Sequence, residues 1–145
     1  MSEGRAIAFT RRLALPVVAG VLAWAGVTKL ADPSLFAIDI ANYRLLSPIF
    51  SAMAAVYLPW LELCLAAGLL VPRLRGVARW LALGLVLVFC VALCSAWVRG
   101  LDIRCGCFGG SAGGATEIEA LARNAVLVGL LVWGGARPAR PLPRA

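Results

Sequence analysis

The chain has 145 residues, 62% of them hydrophobic and only 14% charged, where a soluble domain is roughly half apolar and a quarter charged. With a mean hydropathy of +0.90, this composition excludes an ordinary water-soluble domain and fits a single lipid-embedded unit. The net charge is +7 and histidine is absent, so zinc sites and Ser-His or Cys-His catalysis lose their usual component.

The first apolar run covers 13–30 and follows Arg5, Arg11 and Arg12. It shares features with a signal peptide: Ala23-Trp24-Ala25 has the A-x-A form, and Arg11-Arg12 suggests a twin-arginine signal. Removing it would leave three spans with an unbalanced charge pattern, so the reading keeps it as a membrane helix. Asp32-Pro33 then reads as a helix cap followed by proline at the first helical position. Residues 34–46 mix Leu35, Phe36, Ile40, Tyr43 and Leu46 with Asp39 and Asn42. That mixture predicts a short interfacial helix on the outer surface, stopped by Pro48.

Three further runs, 49–71, 80–98 and 118–136, are also long enough to cross a bilayer, which takes about 17–25 helical residues. The last is the weakest, because Arg123 and Asn124 lie near its start. Residues 137–145 are rich in proline and arginine and read as a disordered cytoplasmic tail. The predicted fold is therefore all-α: an integral membrane four-helix bundle forming one domain over 1–136.

Charge placement predicts its orientation. Arg5, Arg11, Arg12, Arg73, Arg75, Arg79, Arg137, Arg140 and Arg144 fall on one side, with Glu3 as the acid among them. Lys29, Arg44, Arg99, Arg104 and Arg123 fall on the other, balanced by Asp32, Asp39, Asp102, Glu117 and Glu119. The positive-inside rule puts both termini in the cytoplasm and the link between spans three and four outside, in the periplasm or its equivalent. The basic excess is thus a topology signal and gives no reason to invoke nucleic acid.

That outer link carries Arg104-Cys105-Gly106-Cys107-Phe108-Gly109-Gly110. Two cysteines one residue apart, around a glycine without Cβ, can close a tight disulfide or clasp a soft metal. Strained disulfides are the exchange-prone ones, and Arg104 favours the attacking thiolate. A static staple that shapes the loop is the plainer alternative. Cys90 and Cys94 share a face of span three, with Cβ atoms about 5–6 Å apart, beyond the roughly 3.5–4.5 Å of a disulfide. Either can meet another cysteine, or both can serve as small packing residues. Cys64, isolated in span two, reads as packing.

Glu62 sits near the middle of span two. An acid at that depth must be paired, protonated or hydrated, and is a functional candidate by default. Lys29 and Arg123 can reach towards it, and Tyr57 and Asn124 can add hydrogen bonds. Lys29, Tyr57, Trp60, Glu62, Arg123 and Asn124 are the candidate cofactor-binding set. A structural ion pair and a proton relay beside a ligand both fit these residues.

Gly26-Val27-Thr28-Lys29-Leu30, Asn42-Tyr43-Arg44-Leu45-Leu46, Leu58-Pro59-Trp60-Leu61-Glu62-Leu63, Cys105-Gly106-Cys107-Phe108-Gly109 and Arg123-Asn124 occur in that order. Together they resemble the MauE family of methylamine utilisation, within the wider DoxX/DoxD-like group of four-helix membrane proteins. The resemblance covers most of the chain. It implies redox maturation of exported disulfide-containing proteins with a periplasmic thioredoxin-like partner of the MauD kind. The arrangement is also similar in outline to DsbB and the vitamin K epoxide reductase group, which implies a quinone. This chain lacks their membrane Cys-x-x-Cys.

Three functions follow as expectations. The first is a membrane thiol–disulfide protein with Cys105, Cys107, Cys94 and Cys90 exchanging electrons and Glu62 handling protons. The second is a transporter of soft metal or sulfur species along the same cysteines. The third is a non-catalytic membrane scaffold for a maturation partner.

Overall fold

A computed structural model describes residues 2–101 and 117–135. These residues form five helices and no strand: α1 Ser2–Ala31, α2 Pro33–Asn42, α3 Pro48–Leu70, α4 Arg75–Val98 and α5 Glu117–Gly135. Leu13–Ala31 of α1 and the whole of α3 and α4 are long and apolar enough to span a bilayer, as is Ile118–Gly135 of α5. A 23-residue helix such as α3 rises about 34 Å, matching a hydrocarbon core of about 30 Å. The all-helical, four-span architecture is the one read from composition.

The short helix forms where Asp32 predicts it. The Asp32 carboxylate accepts from the Leu35 amide at 3.0 Å and from the Ser34 hydroxyl at 2.6 Å. Those bonds hold its carboxyl below the usual range, and Pro33 occupies the first turn. The helix ends at Asn42, four residues earlier than the apolar pattern suggested. Tyr43 and Arg44 amides close a turn on Ile40 and Ala41, and Arg44 takes a positive φ of 51°, which breaks the helical path. Pro48 then starts α3 at its first position, so it opens the second span as well as ending the link.

At the opposite end of the bundle, α4 begins five residues before the predicted third span. Arg75 donates to the carbonyls of Leu69 and Leu70 at 3.0 and 3.2 Å. It thereby satisfies the open end of α3 while starting α4, and the link shrinks to a tight turn.

α1 meets α3 more extensively than any other helix pair meets, and α5 packs on both α1 and α4. Small residues allow the approach: a Cβ on Gly26 would lie 3.0 Å from the Pro59 carbonyl oxygen and from Leu63. Much of the buried surface is alanine, with Val18, Leu22, Leu69, Val86 and Leu131 filling the centre. The large side chains Trp24, Trp60, Trp80, Trp97 and Trp133 point outward. Small residues inside and large apolar ones outside is the pattern of helices packed in lipid.

Candidate functional site

Lys29 lies in the last turn of α1 and Glu62 near the middle of α3. They are 3% and 1% exposed, and Lys29 Nζ donates to Glu62 Oε1 at 2.5 Å. Neither charge is sustainable alone at that depth, because desolvation costs several kcal/mol per ion. Their attraction offsets that cost only with close geometry and further support. Support comes from two rings: Phe36 of α2 and Phe89 of α4 each hold Lys29 Nζ at 5.3 Å from the ring centroid. A desolvated cation over a ring is worth about 2 kcal/mol. Four helices therefore converge on one ammonium group.

α5 completes the cluster. Arg123 and Asn124 line a cavity of about 30 Å³ together with Lys29, Glu62 and Phe89. That volume suits about one water molecule. Among the described residues, no donor reaches Glu62 Oε2, although the atom is buried. Asn124 is itself buried.

Phe36 and Phe89 also form walls of a second, apolar cavity of about 210 Å³ between α2, α3 and α4, which Asp39 and Tyr43 line as well. Burial pushes the Asp39 carboxyl up. The same two rings thus separate this cavity from the Lys29–Glu62 pair. Cys90 and Cys94 line a third recess on α4 with Ser95 and Arg99. Arg99 reaches across to the Tyr43 carbonyl at 3.0 Å, tying the end of α4 to the turn after α2.

Of the predicted residues, the fold brings together Lys29, Glu62, Arg123 and Asn124 around one cavity, while Cys90 and Cys94 share a separate recess. It places Tyr57 and Trp60 elsewhere: they are 65% and 57% exposed, on α3 faces turned away from Glu62. Residues five and two positions away sit roughly 140° and 200° around the helix. Cys64 is exposed too, towards the bundle's exterior rather than in its packing. Cys105 and Cys107 lie outside the described residues. Sequence reasoning missed Phe36 and Phe89 as site residues. Two phenylalanines on separate helices carry no local signal; only their convergence on Lys29 gives them a role.

The family model for the methylamine utilisation protein MauE matches residues 7–137. The chain is 44% identical to the methylamine utilization protein MauE of Methylophilus methylotrophus over 91 residues, covering 62% of this chain and 48% of that protein. It is 35% identical to MauE of Paracoccus versutus over 120 residues, covering 82% and 64%. It is also 35% identical to MauE of Paracoccus denitrificans over 107 residues, covering 73% and 58%. The matched region thus spans about half to two thirds of the length of these relatives. No solved structure matches.

Proposed function

The chain belongs to the MauE family, and on that premise we propose that it is a membrane thiol–disulfide redox protein. It would sit in the bacterial inner membrane with both termini in the cytoplasm and Cys105 and Cys107 on the periplasmic side. Its partner would be a thioredoxin-like periplasmic protein, and its client an exported disulfide-containing protein. The relatives' names place them in methylamine utilisation; we carry that setting to this chain as part of the proposal.

One observation carries the reading. Cys90 and Cys94 share a recess on α4, and Cys94 lies four residues before the helix ends at Val98. The chain then runs directly into the segment bearing Cys105 and Cys107. Four cysteines therefore follow one another in the sequence from the last turns of α4 into the link before α5. In the exchange, a partner thiolate attacks a sulfur of a Cys105–Cys107 disulfide. That S–S bond breaks, a mixed disulfide forms, and the other cysteine leaves as thiolate. The second partner thiol then displaces the mixed disulfide, leaving the partner oxidised and this pair reduced. The reverse sequence runs the electrons the other way.

A membrane quinone fits the 210 Å³ cavity by its apolar walls and its two flanking rings. Phe36, Phe89 and Tyr43 would line the ring, with the Lys29–Glu62 pair behind the two phenylalanines. When bound, a quinone accepts two electrons and two protons. Asp39 is the acid that lines this cavity and would exchange a proton there; Glu62 stands behind the two rings.

Replacing either outer cysteine tests the proposal. Cys105→Ser or Cys107→Ser should trap or abolish a reductant-sensitive mixed disulfide with the thioredoxin-like partner on non-reducing gels, and client oxidation should fall. Unchanged client oxidation in both variants would overturn it.

A further inference from the structure

The apolar cavity between α2, α3 and α4 has a size and a charge that limit what it holds. At about 210 Å³ it is smaller than the roughly 300–1,000 Å³ of a pocket that encloses a drug-sized ligand. A single substituted ring fits inside; a longer molecule must leave part of itself outside. Among the described residues no lysine or arginine lines the cavity, and Asp39 is its one acid. An anionic head would meet that carboxyl with no cation to offset the desolvation. A cationic head would press on Phe36 and Phe89, whose rings already hold the Lys29 ammonium 5.3 Å from their centroids. A neutral head meets neither obstacle. The Asp39 carboxyl, pushed up by burial, can donate a hydrogen bond to it when protonated as well as accept one.

The cavity also runs along the bundle. One end is fixed near the close of α2: Arg99 donates to the Tyr43 carbonyl at 3.0 Å, and Arg44, with φ 51°, turns the chain into Leu45 and Leu46, which line the space. The other end lies deeper. Leu58 is ten residues beyond the start of α3 at Pro48, and Val88 is ten residues before the end of α4 at Val98. Ten residues are about 15 Å of helix rise, half of a hydrocarbon core of about 30 Å. The walls differ in exposure too. Phe36 is buried, whereas Leu45 and Leu46 are exposed and Val88 is 64% exposed. In a membrane an exposed apolar wall faces lipid, so the cavity is open sideways, beside Val88, near the middle of the bilayer.

We propose that this cavity holds only the ring of a lipid-dissolved quinone, with the ring beside Asp39 and the apolar tail leaving past Val88, between α3 and α4, into the surrounding acyl chains. The ligand enters sideways from the bilayer rather than from water, and Val88 is a specificity-determining residue for its tail. This rests on the reading that a quinone occupies the cavity, and adds where its two ends lie. A quinone without a tail gives up the apolar contact along the groove and binds more weakly. An acyl chain alone leaves the half-buried Asp39 carboxyl without a polar partner in the cavity, which burial penalises.

The test uses the full-length chain in lipid nanodiscs and two photoreactive benzoquinones that share one long alkyl tail. One carries a diazirine on the ring and the other carries it partway along the tail. After irradiation, mass spectrometry of the digested chain locates each label. The ring probe should mark α2 between Phe36 and Tyr43, and the tail probe should mark α4 around Val88. Unmodified tailed quinone should displace both labels, and a tail-less benzoquinone should do so less effectively. Val88→Trp should lower both labels about tenfold, the scale of one steric misfit. Val77→Trp, at another exposed position nearer the opposite end of α4, should leave them unchanged. A tail label spread evenly over lipid-facing residues, or labels unchanged in Val88→Trp, overturns the proposal, while the ring label alone keeps the quinone reading. No displaceable ring label on α2 overturns both. A diazirine-bearing phospholipid that marks Val88 and is not displaced by quinone assigns the groove to acyl chains and overturns the proposal too. The outer-cysteine test reads mixed disulfides and is untouched by any of these outcomes.

Discussion

Lys29 and Glu62 illustrate what a single residue can and cannot announce. Each is conspicuous in the sequence, since an apolar run of membrane length rarely carries an ion without a reason. Their union at 2.5 Å, however, depends on α1 and α3 packing at one register. The burial of both makes the energetics asymmetric. Lys29→Met leaves Glu62 buried and unpaired, and Glu62→Leu does the same to Lys29; each should cost about 3–5 kcal/mol. The double variant removes both charges and should recover most of that loss, because an apolar pair is often as stable as a buried ion pair. Denaturant titration in mixed micelles measures all three. If the stable double variant fails to support client oxidation, the pair acts in the chemistry as well as in the packing. Equal losses for the double and the sum of the singles would show that the two side chains do not stabilise each other.

At the scale of the element, the helices form where apolar runs, caps and prolines direct them, but their ends respond to neighbours. Arg75 was legible as a topology charge. Its hydrogen bonds to the last carbonyls of α3 pull α4 back to Arg75 and replace a loop with a turn. Gly26 shows the same dependence. In the sequence it belongs to a Gly-x-x-Lys pattern; in the fold it is the point where α1 crosses the Pro59 turn of α3. An alanine Cβ there would press at 3.0 Å on a backbone oxygen that cannot rotate away. Gly26→Ala should therefore destabilise the bundle by about 1–3 kcal/mol. It should also weaken the Lys29–Glu62 pairing, which lies one turn further along α1. Gly20→Ala is the control, since nothing lies within 4 Å of an added Cβ at that position. Thermal unfolding in detergent should separate the two substitutions, and identical midpoints would refute the close-contact account.

At the scale of the whole molecule, the outward display of Trp, Leu and Val over an alanine-rich interior makes sense only in lipid, where burial of large apolar groups between helices gains little. Trp97 stands near one end of α4 and Trp80 near the other, as tryptophans that form aromatic belts do in membrane helices. The proposed orientation makes a direct prediction. Impermeant thiol reagents added outside intact spheroplasts should label Cys105 and Cys107 after reduction and leave a cysteine placed at Arg73 unlabelled. Labelling of the Arg73 site from outside, with none at the outer pair, would invert the topology and remove the basis for a periplasmic partner.

The sequence by itself determined the class, the four spans, the capped helix after the first, and the family, because these follow from composition, period, local capping and ordered motifs. It also marked Glu62, Lys29, Arg123 and Asn124 as unusual, because polarity in an apolar run is a local property. Tertiary structure alone decided that these four share one small cavity, that Phe36 and Phe89 hold the ammonium from both sides, and that Tyr57 and Trp60 turn away from it. Those outcomes rest on helix rotation and crossing, which are set by side chains packing across elements. Residues distant in the chain acquire common chemistry only after that packing has fixed their register.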